Sequence, residues 1–387
     1  MVFTRNPTEI LPSVSIFDYY WVINGVGVSL HCILTPSQMM INVGEHRVTN
    51  EVPQGTIMSA IHVLLLCGGG SAEHEASIIS ANYIEQTLKQ IDGINYSRVE
   101  MKTDGWFLED GTSCQLNLDR TLQIGDEKQA IDYVVPCVHG FPGETGDLQS
   151  FLDMAKLPYL GCGAEASTNC FNKITTKLWF DALDIPNTPY LFLSENSAEA
   201  HENAKAALVK WGKVFVKAAC QGSSVGCYSV TNESELKDAV NNAFTYSDQV
   251  LIEKTIKPRE LEIAAFEYEG ELIVTKPGEV AAPEDGFYSY DEKYGAGSHS
   301  KTTVEADNLT EKQIEDICIF ARKAFVQMKL KDLSRIDFFL SDEGEILLNE
   351  INTFPGMTPI SMFPKMLEHS GKTFIGFLEQ AIKRAVR

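Results

Sequence analysis

The sequence predicts an α/β protein with a parallel sheet in its first large domain. Three observations predict it. First, strand-like apolar runs alternate with glycine loops and helical runs: IHVLLLC, GGGSAEHE, ASIISANYIEQTLKQI, and again YVVPCV, HGFPGETGDLQ, SFLDMAK. Units of this kind build parallel sheets with ligand loops at the strand C-termini. Second, 387 residues with 44% hydrophobic and 22% charged side chains suit a globular chain of two or three domains. Third, the rest of the chain reads as strands around further glycine loops, closing with a hairpin and a helix.

After PYLGCG, residues 172–185 read as a helix and IPNTPYLFL as its extended exit. KVFVKAACQGSSVGCYSV is two β runs around a glycine loop, followed by a helix near 233–244. QVLIEKTI and RELEIAAFEYEGELIVTKPGEV are strands. Residues 283–304 are polar, aromatic and glycine-containing, long for a plain connector and suited to a lid. A helix near 310–328 precedes RIDFFLSDEGEILLNEINTFPG, a hairpin by its alternation and its SDEG turn. KTFIGFLEQAIKRAVR is an amphipathic helix with basic residues in its last turn.

The formal net charge is -21, which argues against nucleic acid as a partner. The nine cysteines are scattered singly and show no metal spacing, as expected of reduced thiols in a cytoplasmic protein. The one membrane candidate, residues 14–35, contains Asp18, Asn24 and His31 and makes a poor spanning helix. It also lacks a secretory cleavage site. Residues 1–57 hold no recognisable chemistry, and a start assigned too far upstream of Met58 is the preferred explanation.

Four stretches carry candidate chemistry. In the hairpin, residues 340 and 345 flanking the loop would set 337 opposite 348 and 335 opposite 350. Arg335, Asp337, Glu350 and Asn352 then share one face. That face is either a solvated exterior or a set of hard oxygen ligands suited to Mg²⁺ or Mn²⁺. Gly222, Ser223, Ser224 and Gly226 form either a tight turn or a phosphate cradle. Lys217 ends the strand before them, while Lys173 and Lys177, one helical turn apart, read as solubilising surface residues. In GGGSAEHEAS, Ser71 can cap the helix, and Glu73 either complements its dipole or binds an ammonium.

Taken together, GGxSAExExS, HGxxGExGxxQ, the Lys-bearing helix, K…GSSVG, EK…RELE and RIDFF…NEINTxPGMTxxSMFP resemble the D-alanine–D-alanine ligase family of the ATP-grasp superfamily. Order and spacing match from about Met58 to Arg387. The resemblance implies domains at 58–161, 162–252 and 253–387, with ATP between the last two. It implies ligation of two D-alanines through an acyl phosphate, for peptidoglycan precursors, in a cytoplasmic homodimer. Asp337, Glu350 and Asn352 would hold two Mg²⁺ (or Mn²⁺), with Glu350 shared. Lys173, Lys217 and Lys293 would meet the ATP phosphates alongside Ser223 and Ser224, and Glu253, Lys254, Ile256 and Glu260 the adenosine. Glu73 would bind the first D-alanine's ammonium, with His139 nearby. Ser223 and Tyr294 would join Glu73 in closing the lid. Arg335 and the Gly356 amide would stabilise the intermediate, and Ser361 and Met362 would hold the second carboxylate. Ala218 stands where the family usually has Pro, which is expected to loosen the strand exit. His299 in the lid region raises the possibility of a D-lactate acceptor; Tyr294 favours D-alanine. The same motifs are also compatible with a D-serine ligase and with a non-catalytic ATP-binding protein of the same fold.

Since every matched motif lies beyond residue 57, a chain beginning at Met58 is expected to fold and keep full activity. An insoluble or inactive product in expression and assay would make residues 1–57 structural.

Overall fold

The computed structural model describes the strands within residues 16–46, and residues 60–281 and 301–386. Met1–Met58 and Ser59–Arg387 are separate compact units. In the first, β1 (Ile16–Ile23), β2 (Val26–Thr35) and β3 (Gln38–His46) pair as an antiparallel meander. The apolar run weighed as a membrane candidate is therefore two strands. Among the described residues no helix is long and apolar enough to cross a membrane.

The second unit opens on a seven-stranded sheet. β4 (Ile61–Gly68), β5 (Ile94–Lys102) and β10 (Tyr133–Pro136) are parallel, with β4 in the middle. Val63 to Leu66 are fully buried, as a strand covered on both faces requires. The rest of the sheet is an antiparallel meander, β6 (Gly105–Leu108), β7 (Ser113–Leu116), β8 (Thr121–Ile124) and β9 (Glu127–Ala130). The sheet is thus mixed where a parallel one was expected. The missed signals were Asp104-Gly105, Asp110-Gly111 and Gly125-Asp126, tight hairpin turns whose glycines take positive φ.

Between β4 and β5 runs α1 (His74–Leu88); α2 (Asp147–Met154), α3 (Ala164–Phe171) and α4 (Lys173–Ala182) follow the sheet. A second sheet has the order β11 (Tyr190–Leu193), β14 (Val250–Lys254), β12 (Val214–Ala218), β13 (Cys227–Val230), all antiparallel. Helices α5 (Ala198–Trp211) and α6 (Glu233–Phe244) share its core. The third sheet is built on β15 (Arg259–Tyr268), flanked by β16 (Glu271–Val274) and β17 (Gly278–Ala281), with β18 (Lys301–Thr303) at the edge. On the other side of β15 come β19 (Leu333–Leu340) and β20 (Ile346–Asn352). α7 (Glu311–Gln327) covers it, its start fixed by a capping box between Thr310 and Gln313.

The final helices, α8 (Met362–His369) and α9 (Phe374–Ala385), tie the end of the second unit to its beginning. Phe363, Phe374 and Phe377 join Val63, Ile84 and Leu88 in one core, and Tyr83 stacks on Phe374 at 5.0 Å. Burying aromatics of this size dominates such an interface.

The closing hairpin corrects the expected register. Leu340 pairs with Ile346, so the loop is one residue longer than expected. A regular ladder from there would set Asn349 opposite Asp337 and turn Glu350 into the core. Instead the register shifts between Asp337 and Phe338, leaving Asn349 as a bulge. Asp337 then lies opposite Glu350 and Arg335 opposite Asn352. The apolar phase of Leu348 and the polar phase of Glu350 and Asn352 are both satisfied, and the four residues do share a face.

Candidate active site

Three strands bring one polar face together. Glu262 on β15 is in register with Asp337 on β19, which is in register with Glu350 on β20. Arg335 donates from Nε and Nη2 to the two carboxylate oxygens of Asp337 at 2.8 and 2.6 Å. Asn352 Nδ2 donates to the same carboxylate at 3.0 Å. Glu262 lies 3.4 Å from Arg335 Nε. Burial alone would lower the guanidinium's pKa, but Asp337 and Glu262 hold it well above its usual value. Glu262 was not singled out in the sequence, although its spacing from Glu260 puts both on the face of Asp337.

A second cluster lies at the root of the glycine loop. Glu253 on β14 is ion-paired with Lys177 on α4 at 2.6 Å and with Lys217 at the end of β12. Lys177 is only 2% exposed and also donates to Asn187 Oδ1 and the Thr188 carbonyl, each at 3.2 Å. It is not the solubilising surface lysine its spacing suggested. The face of α4 that carries it packs inward with Ile174 and Phe180. Burial raises the Glu253 carboxyl, but Lys217 and Lys177 outweigh it and bring the group to about 2. With that carboxylate committed to two ammonium groups, the backbone of 253–256 is what remains for a base or ribose. Lys254 is exposed, and Ile256 and Glu260 are half-buried.

Lys173 begins α4 and reaches the loop: its Nζ donates to the Gln221 carbonyl at 2.6 Å. Asn172 caps the helix through the Ile174 and Thr175 amides. Ser223, Ser224 and Gly226 all take positive φ, so the loop folds tightly over its own root. Ala218 does not loosen the strand exit. Its amide donates to the Gly226 carbonyl at 2.9 Å, a bond proline cannot make.

The loop's other contact crosses to α1. Ser223 Oγ donates to Glu73 Oε1 at 2.6 Å. Gly140 and Gly222 press against the same carboxylate, where a Cβ on either would overlap Glu73 Oε2. Glu73, not Ser71, is the N-cap of α1, and its side chain leaves the helix end free to face the loop. Ser71 Oγ instead accepts from the Glu73 amide at 3.2 Å. A cavity of about 630 Å³ opens here, lined by Ser71, Glu73, Phe141, Asn172, Gln221 and Gly222.

Behind Glu73, His139 is buried. Its Nε2 meets Ser80 Oγ at 2.8 Å and its Nδ1 meets the Phe354 carbonyl at 3.1 Å. It therefore faces the protein rather than an open site. Glu144, which sequence reasoning left without a role, accepts from the Gly140 amide at 2.9 Å and the Phe354 amide at 3.2 Å. Burial first, and the charge of Glu73 second, push its carboxyl up to about 8. Gly356 is buried, and its amide takes no acceptor among the described residues. Ser361 Oγ accepts from the Thr358 amide at 3.1 Å, and Met362 starts α8. Lys293, Tyr294 and His299 lie outside the described residues.

Comparison with known proteins agrees along the chain. A family described as D-ala D-ala ligase N-terminus matches residues 62–162, and D-ala D-ala ligase C-terminus matches 179–383. A D-alanine–D-alanine ligase of Aliivibrio fischeri is 62% identical over 328 residues, 84% of this chain and 99% of the relative. One from Tolumonas auensis is 60% identical over 330 residues, 85% of this chain and all of the relative. The crystal structure of D-alanyl-alanine synthetase A from Vibrio cholerae has a TM-score of 0.82 at 58% identity, covering 85% of this chain and 99% of that one. A D-Ala:D-Ser ligase structure from Enterococcus faecalis has a TM-score of 0.75 at 25% identity, over 84% and 99%.

The Glu253 cluster carries a pH signature. The folded pKa of about 2 lies below the usual 4.5. The stabilisation is therefore present above about pH 4.5 and is lost as pH falls towards 2. In urea titrations, wild type should be more stable than Glu253→Gln at pH 6, and that gap should shrink by roughly 2 kcal/mol at pH 3. A gap that stays constant would show that the lysines do not hold the carboxylate ionised.

Proposed function

The chain belongs to the D-alanine–D-alanine ligase family, and from that premise we propose how its own residues join two D-alanines at the expense of ATP. The observation that carries the proposal is the convergence of Arg335, Asp337, Glu350 and Asn352 on one face of the third sheet, combined with the family match. Lys173, Lys217 and the loop of Ser223 and Ser224 take the ATP phosphates. The 253–256 backbone with Lys254, Ile256 and Glu260 takes the adenosine. In a chain of net charge -21, these cations are what makes a local anion site.

Glu73 holds the first D-alanine's ammonium. A carboxylate oxygen of that substrate attacks the terminal phosphorus of ATP, ADP departs, and an acyl phosphate forms. The second D-alanine, its carboxylate held at Ser361 and Met362, attacks the acyl carbon with its neutral amine. The tetrahedral oxyanion meets Arg335 and the Gly356 amide. It collapses to D-alanyl-D-alanine and phosphate as the nitrogen loses its proton. His139 supports this site from behind, through Phe354. Lys293 and Tyr294, outside the described residues, would by the family resemblance meet the ATP phosphates and help exclude water from the acyl phosphate.

The donor set fits magnesium or manganese. Asp337, Glu350 and Asn352 offer two carboxylates and a carboxamide, all hard oxygens. No group of three His, Cys, Asp or Glu residues forms a metal cluster among the described residues. Magnesium in nucleotide sites takes one or two carboxylates and completes its shell with phosphates and water. Two such ions would supply neutralisation of phosphate charge. The protein is proposed to act as a cytoplasmic homodimer whose product enters peptidoglycan synthesis.

The test is dipeptide formation and ATP consumption with D-alanine, L-alanine, D-lactate and D-serine offered separately. D-Alanine alone should couple efficiently at neutral pH; preference for D-lactate or D-serine would overturn the acceptor assignment. Glu350→Gln should lose turnover by about a hundredfold or more while circular dichroism stays unchanged. Near wild-type turnover with Mg²⁺ present would sink the metal assignment.

A further inference from the structure

Ser80 belongs to none of the sequence motifs, yet it is completely buried on the inward stripe of α1 with Ala81 and Ile84. A hydroxyl there is costly unless its hydrogen bonds are met. Its Oγ lies 3.2 Å from the Met357 amide and 2.8 Å from His139 Nε2. The directions of these bonds are fixed by chemistry. The Phe354 carbonyl can only accept, so His139 Nδ1 carries a proton towards it. Burial lowers the imidazole's pKa, with Glu73 opposing, and a neutral ring protonated on Nδ1 leaves Nε2 as an acceptor. Ser80 must then donate its single proton to Nε2 and accept from Met357.

The result is a directed chain: Met357 N–H to Ser80, Ser80 O–H to His139, His139 N–H to the Phe354 carbonyl. Glu144 binds the Phe354 amide as well. Both residues flanking Pro355-Gly356 are held. Proline has no N–H, so the Gly356 amide is the one donor of this segment left without a protein acceptor among the described residues. Ser80 also follows Glu73 by seven residues, two helical turns, which is about 10 Å along the axis. One rigid helix therefore carries the Glu73 carboxylate at its start and the support for the Gly356 segment two turns later.

We propose that Ser80 is a positioning residue for ligation. It orients the Phe354–Met357 segment, directly through Met357 and indirectly through His139, so that the Gly356 amide points at the developing oxyanion. This rests on the function proposed above and adds to it a residue outside the motifs.

The test uses the full chain carrying Ser80→Ala or Ser80→Cys, the second keeping the side chain's volume while weakening both bonds. Steady-state kinetics should show kcat for dipeptide down about tenfold or more, with KM for ATP within about twofold of wild type. More ATP should be hydrolysed per dipeptide, and Ser80→Cys should keep its Tm within a few degrees. Two outcomes would overturn the inference: kcat unchanged in both variants, or kcat, Tm and ATP KM all failing together in Ser80→Cys as for a scaffold residue. A wild type that makes no dipeptide would overturn the function and this inference together. An active wild type with unaffected variants would overturn this inference alone.

Discussion

Arg335 is a cation where water hardly reaches, and the geometry around it follows from that constraint. Its side chain is 16% exposed. An unpaired charge so placed would cost several kcal/mol. The counter-charges come from two different strands: Asp337 two residues along β19 and Glu262 on β15. Asp337 shares the face of Arg335 by strand alternation, while Glu262 reaches it only in the observed β15–β19 register. A second register, between β19 and β20, brings Glu350 and Asn352 alongside. The polar face therefore depends on both sides of β19 being paired as they are.

The chain's large negative charge is distributed with similar economy. Buried acids are held by specific partners: Glu253 by two lysines, Asp332 by the Gly161 amide and Arg384, Glu144 by two amides. Glu73 differs, for its side-chain bond is to a single serine hydroxyl on a loop from another sheet. A carboxylate with so light a commitment is the one best suited to exchange its partner for an incoming cation.

Much of this was legible in the sequence because it depends on local pattern. The helices from α1 to α9 that were expected lie within a few residues of their observed positions, fixed by apolar periodicity and by caps such as Asn172 and Thr310. The shared face of Arg335, Asp337, Glu350 and Asn352 followed from strand alternation. The exact register did not, because the longer loop and the bulge each move the pairing by one residue in the same direction, a slip of two that restores the face but not the partners. The antiparallel part of the first sheet went unread although its turn dipeptides were in plain view. Lys177 was misread, and Glu262, Glu144 and Ser80 were missed, for another reason. Their partners lie 76, 73, 210 and 277 positions away, and no local pattern encodes such distances. A serine on the buried stripe of α1 was the faint trace available.

The Ala218–Gly226 bond has a mechanical consequence. With that rung made, and with Ala219 tied to the Gln249 carbonyl at 3.1 Å, the strand pair stays stiff up to the base of the loop. Any pivot is pushed outward, into the few residues around Cys220 to Val225. A short lever turns a given angular swing into a small displacement at its tip. Under the proposed function, Ser223, near that tip, would give way to an arriving ligand with little change in its alignment to Glu73.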